Sequence, residues 1–167
     1  RSPSRGLGDV YKRQKLLRLI VNFINPHALI VTETNLPRKE NLSYFGNNDE
    51  ANWIYNFPLP PLILYTFLFE DSSKISGWSK SMPPAKINNA YLNFIASHDG
   101  IGMRPAEGIL DNIILDKLFK RVKKNGGKFS FRKVESKNKV YEANITLFDA
   151  LKRTDLDKNG IFAAVSY

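Results

Sequence analysis

The chain has 167 residues, about the length of one ordinary domain, and its 43% hydrophobic and 12% aromatic content is enough for a packed core. It has no cysteine, which excludes a disulfide framework and a thiolate metal site, and no apolar run long enough to cross a membrane as a helix. Its net charge of +9 raises nucleic acid as a possible class of partner.

Part of that charge lies in a segment unlike the rest. Residues 1–14 have no apolar period and no core-forming cluster. Asp9-Val10-Tyr11-Lys12-Arg13-Gln14 can be encoded by GAT GTG TAT AAG AGA CAG, a string that resembles the mosaic-end adapter of transposase-based sequencing libraries. The complementary strand of that adapter encodes Val-Ser-Tyr in one frame, and the chain ends Val165-Ser166-Tyr167. An adapter origin for residues 1–14, with a reading frame cut at both ends, is therefore expected. The competing reading is a natural basic arm. Arg1, Arg5, Lys12 and Arg13 against Asp9 supply +3 of the +9, leaving +6 for the remainder.

From Lys15 to Asn25, apolar residues at Leu16, Leu17, Leu19, Ile20, Phe23 and Ile24 have helical spacing, and Asn25-Pro26 ends the helix. A strand is predicted over Ala28–Thr34, then a polar loop over Asn35–Glu50. A short alternating strand follows over Asn52–Phe57. Pro58, Pro60 and Pro61 delay the next helix to Leu62–Phe69, and Trp78–Met82 adds a helical turn. A third strand is predicted over Tyr91–Ser97. Helix, strand, loop, strand, helix, strand suits half of a parallel (β/α) barrel; a whole barrel needs roughly 250 residues.

After Asp99 the texture changes. Gly100–Gly108 is a glycine-punctuated loop, and Ile109–Lys124 an amphipathic helix capped by Asn125-Gly126-Gly127. Lys128–Val134 and Lys139–Ile145 alternate as a hairpin, and Thr146–Arg153 forms a short helix. The expected organisation is a partial catalytic barrel over 15–99, an α+β insertion over 100–151 and a truncated end over 152–167.

The chemistry is carried by two strand-like runs that each end in a carboxylate. Leu29–Asn35 ends in Glu33, and Tyr91–Gly100 ends in His98-Asp99. In a (β/α) barrel, that end of the strand bears the catalytic groups. Paired carboxylates suit glycoside chemistry, with a general acid on one side and charge stabilisation on the other. The plainer alternatives are an exposed turn glutamate at Glu33 and a loop-capping Asp99 beside a surface His98. Arg104 can hold a phosphate or carboxylate bidentately, or only fix its loop. Tyr44, Phe45, Trp53 and Tyr55 can stack on sugar rings, although aromatics near strands are more often core. His27 has no paired ligand, so a structural role is favoured over a metal. Gly100-Ile101-Gly102 lacks the lysine of a nucleotide loop and reads as a turn. The ten Lys and Arg residues between Lys117 and Lys139 read as a solvated face, with nucleic-acid binding the minority alternative.

At these residues the chain resembles the α-amylase superfamily, glycoside hydrolase family thirteen, and within it the sucrose-phosphorylase-type branch. Val31-Thr32-Glu33-Thr34-Asn35 resembles that branch's acid/base strand, and Asn41–Gly46 and Ala51–Pro61 continue the likeness. Ser97–Gly102 resembles its late His-Asp motif. Arg104-Pro105-Ala106-Glu107-Gly108 is similar to members that use sucrose phosphate, glucosylglycerate or glucosylglycerol, and Asn144–Leu151 resembles the return to the barrel. The resemblance implies the C-terminal half of a (β/α)8 barrel and a retaining phosphorylase that transfers glucosyl to inorganic phosphate. Within it, Glu33 would be the acid/base, Asp99 the transition-state-stabilising carboxylate, His98 a hydroxyl ligand and Arg104 a group on the acceptor or phosphate side. No residue matches the family's nucleophilic Asp, so the chain alone is expected to be inactive. No cofactor or membrane partner is expected, and with no cysteine the expected location is cytoplasmic. An α-glucoside hydrolase and a basic nucleic-acid-binding module are the alternatives.

Overall fold

The computed structural model describes residues 4–152, with side chains from residue 11 onward. The described residues divide into two compact units, one of residues 4–56 and 83–93, the other of 57–82 and 94–152.

The first unit opens with α1 (Ser4–Ile24). The helix starts well before the predicted Lys15, because once nucleated it gains one backbone hydrogen bond for each residue added. Its apolar side chains stay exposed: Phe23 is 91% and Leu19 67% accessible. Lys15 donates to Asp49 at 2.5 Å, and Arg18 Nη1 to the Glu50 carbonyl at 3.1 Å, which tie α1 to the loop before the second strand.

Strands β1 (Val31–Thr32), β2 (Trp53–Tyr55) and β3 (Ala90–Leu92) form a parallel sheet in that order. Val31 pairs with Trp53, and Ile54 with Tyr91, so the three C-terminal ends lie on one side. All three strands are predicted in the sequence, and all are shorter than predicted. Between β1 and β2 the expected loop holds a helix, α2 (Arg38–Ser43). The unit's interior is unusually polar, with Asn41, Glu50, Asn52 and Asn56 buried beside Ile54 and Ala51. The Asn41, Asn52 and Asn56 amides carry partners: the Asn52 Oδ1 accepts from Ile30 N–H at 2.8 Å, and Asn56 Nδ2 donates to Asn93 Oδ1 at 2.8 Å. Paired in this way, buried amides avoid the desolvation cost and fix strand register.

The second unit contains α3 (Leu59–Phe69) and α4 (Ser73–Lys80) on the connection from β2 to β3. Helix α3 includes Pro60 and Pro61 in its first turn rather than starting after them, since N–H groups there need no intrahelical acceptor. A second sheet, antiparallel and ordered β4-β6-β5, is built from β4 (Ile101–Gly102), β5 (Lys128–Val134) and β6 (Lys137–Asn144). A 3-10 turn (Arg104–Ala106), α5 (Asn112–Lys124) and α6 (Leu147–Ala150) complete the unit. Asp111 caps α5, its side chain accepting from Ile114 N–H at 2.8 Å. Leu62, Leu64, Ile101, Met103, Leu118 and Val122 form the apolar core. Phe57 meets Phe94 edge-on at 5.1 Å, and Phe119 meets Phe129 at 5.5 Å. Among the described residues, no helix is long and apolar enough to cross a membrane.

Candidate active site

Glu33 lies one residue beyond β1, at the C-terminal end of the parallel sheet, with its side chain exposed. The last pair of the ladder is Thr32–Ile54, so Glu33 is the first residue beyond it. The residue after Glu33 is held by its side chain. Thr34 Oγ1 donates to Asn41 Oδ1 at 2.6 Å, and Asn41 Nδ2 donates to the carbonyl of Tyr55, the last residue of β2, at 2.8 Å. Asn41 is 4% accessible, so both of its side-chain hydrogen bonds form away from water.

His98 and Asp99 belong to the second unit. They are placed by a tight turn and not by the end of a strand, because β3 already stops at Leu92. Ser97 and Gly100 close the turn through two backbone bonds, Ser97 N–H to Gly100 O at 2.9 Å and Gly100 N–H to Ser97 O at 3.1 Å. The Asp99 N–H donates to Ser97 Oγ at 3.3 Å. His98 Nε2 stands 3.4 Å from Asp99 Oδ2, with both side chains exposed. Gly100 has φ +118°, a conformation that favours glycine. Asn144 at the end of β6 donates to the Asp99 carbonyl at 3.0 Å and accepts from Ser130 Oγ at 2.9 Å, which ties the turn to the hairpin.

Arg104 starts the 3-10 turn that follows β4 and is half-buried. On the same loop, Glu107 receives Arg132 Nη2 on both carboxylate oxygens, at 3.0 and 2.8 Å. A cavity of about 580 Å³ opens here between Met103, Glu107, Asn112, Phe119, Lys139 and Val140.

Of the sequence-predicted site residues, the turn brings together His98 and Asp99, while Glu33 belongs to the other compact unit. The four aromatics offered for stacking, Tyr44, Phe45, Trp53 and Tyr55, are half-buried, and Phe45 packs edge-on against Tyr91 at 5.7 Å. His27 sits before β1, where its N–H donates to Asn25 Oδ1 at 3.0 Å. It lines a cavity of about 560 Å³ with Leu29, Asn52, Trp53, Asn88 and Asn89, at the strand ends opposite Glu33. Sequence reasoning missed the structural roles of Asn41 and Asn144. Their signal was present, because both lie inside segments that carry the resemblance, but polar residues have no period that reveals a hydrogen-bond partner.

No family model matches the sequence. The glucosylglycerate phosphorylase of Allomeiothermus silvanus is 43% identical over 153 residues, 91% of this chain and 28% of that protein. The enzyme of the same name from Spirochaeta thermophila is 43% identical over 144 residues, 86% of this chain and 24% of that protein. The chain belongs to the sucrose-phosphorylase-type branch of glycoside hydrolase family thirteen. It spans about a quarter of the length of these relatives. This branch member shares its fold with sucrose 6F-phosphate phosphorylase from Thermoanaerobacter thermosaccharolyticum, at TM-score 0.57 and 22% identity, over 72% of this chain and 24% of that one.

Proposed function

We propose that this branch member contributes the acid/base and the stabilising carboxylate of an α-glucoside phosphorylase, on the C-terminal half of a (β/α)8 barrel. One observation carries the proposal: Glu33 directly follows a parallel strand in a chain 43% identical to a glucosylglycerate phosphorylase. In the proposed reaction Glu33 protonates the leaving glycosidic oxygen. Asp99 stabilises the positive charge that develops at the anomeric carbon, and His98 binds glucosyl hydroxyls. Phosphate then attacks the covalent glucosyl-enzyme and releases glucose 1-phosphate, with Arg104 on the acceptor or phosphate side.

A retaining mechanism also needs a nucleophilic carboxylate. No residue here matches that Asp of the family, so the 167-residue chain alone makes no glucose 1-phosphate under this proposal. The substrate favoured by the similarity is a glucosylglycerate.

A chimaera tests the proposal, with this chain replacing the matching segment of the A. silvanus enzyme. Incubated with glucosylglycerate and inorganic phosphate, it should release glucose 1-phosphate, and without phosphate it should release little sugar. Free glucose at the same rate with and without phosphate would make the activity hydrolysis and overturn the phosphorylase reading.

A further inference from the structure

The parallel ladder ends at Thr32, and the group assigned as acid/base stands on the next residue. A general acid has to keep its carboxyl within hydrogen-bond reach of the leaving oxygen, so the segment that leaves the ladder at Glu33 needs a second anchor beyond the last pair. We propose that Asn41 is a positioning residue for Glu33, acting through the hydroxyl of Thr34. This inference rests on the acid/base reading of Glu33.

The geometry of the clamp is specific. Asn41 lies inside α2, where its own N–H donates to Pro37 O at 3.0 Å. Its side chain then links two chain segments, accepting from Thr34 Oγ1 at 2.6 Å and donating to Tyr55 O at 2.8 Å. Tyr55 closes β2, and Thr34 follows Glu33. One buried amide therefore sets the spacing between the end of β2 and the residue next to the acid/base. With the side chain 4% accessible, water cannot replace either bond cheaply. Just beyond the clamp, Leu36 N–H donates to Thr34 O at 3.0 Å, so a turn follows directly and limits how far the segment can swing. Cutting either bond loosens the Glu33–Thr34 segment without removing the carboxyl.

Thr34→Val keeps the side-chain volume and removes the hydroxyl; Thr34→Ser keeps the hydroxyl. A pure packing role would spare Val and harm Ser, and the clamp predicts the reverse. In the full 167-residue chain, amide exchange of Leu36 should rise at least tenfold in Thr34→Val and in Asn41→Ala, and stay near wild type in Thr34→Ser. Combining Thr34→Val with Asn41→Ala should add little to either change alone, since both cut the same link. In the chimaera described above, Thr34→Val should lower kcat at least tenfold with KM within about twofold, and Thr34→Ser should restore it. If Asn41→Ala fails to fold, Thr34→Val still decides. Wild-type exchange and wild-type kcat in Thr34→Val would overturn the proposal. If the exchange changes appear but Glu33→Gln keeps full activity, the clamp stands as structure and the acid/base reading of Glu33 falls.

Discussion

A Cβ on Gly100 would stand 2.2 Å from the carbonyl oxygen of Ala143. The His98-Asp99 turn therefore lies directly against β6, at a distance that only glycine permits. Gly100→Ala meets two obstacles, this clash with backbone and a φ of +118°. The expected cost is about 1–3 kcal/mol from the backbone conformation alone. Urea unfolding of the second unit's signal should show a lower midpoint with an unchanged slope.

The Asp111 cap makes a smaller, separable prediction. Its side chain accepts from Ile114 N–H at the start of α5. Asp111→Ala should cost about 1 kcal/mol, and Asp111→Asn or Asp111→Ser should recover most of it. Thermal unfolding followed by circular dichroism checks both directions.

Tyr65 and Asp71 form a pH-linked pair. Tyr65 Oη donates to Asp71 Oδ2 at 2.7 Å. Hydrogen bonds from Ser73, then Tyr65, hold the Asp71 carboxyl down to about 2. Its contribution is present above the ordinary carboxylate range and is lost as pH falls through about 2. The same bond, with burial, pushes the Tyr65 hydroxyl up to about 12. That contribution is present below pH 10 and is lost as pH rises through about 12. Tyr65→Phe should move the Asp71 titration, read by carbon-13 chemical shift, upward toward the usual carboxylate value.

Glu50 behaves in the opposite sense to Asp71. It is 3% accessible, and its Oε2 has no hydrogen-bond partner. Burial pushes its carboxyl above the ordinary value, more than Lys15 lowers it. A raised carboxyl destabilises the fold at neutral pH, and the penalty disappears as acid protonates the group in both states. Glu50→Gln should therefore be more stable than wild type at pH 7, with the difference vanishing below the usual glutamate range. Paired unfolding curves at pH 7 and about pH 3.5, below the ordinary glutamate range, test the sign.

The sequence revealed the elements that have a period. Helix α5 and the β5–β6 hairpin lie close to their predicted ranges because apolar residues repeat along them. The three parallel strands were legible as apolar runs, but Ala28–Thr34 shrank to Val31–Thr32 and Tyr91–Ser97 to Ala90–Leu92. Apolar content shows burial and not where a ladder stops. Helix α2 was invisible because Arg-Lys-Glu-Asn-Leu-Ser has a single apolar residue, and what buries it is the amide of Asn41. In the proposed site, a turn stands where a strand end was read for His98-Asp99, and the placing of Glu33 after a strand was legible. Its supports were not, because Asn41–Thr34 and Asn144–Asp99 are hydrogen bonds across turns and strands, and neither propensity nor spacing encodes them.

The most direct test of the central claim removes the Glu33 proton donor and leaves everything else. In the chimaera with the A. silvanus enzyme, Glu33→Gln should cut phosphorolysis of glucosylglycerate by about 10²–10⁴-fold, the range for a lost general acid. The nearby exposed Glu40→Gln should leave the rate unchanged. Wild-type phosphorolysis in Glu33→Gln would contradict the account.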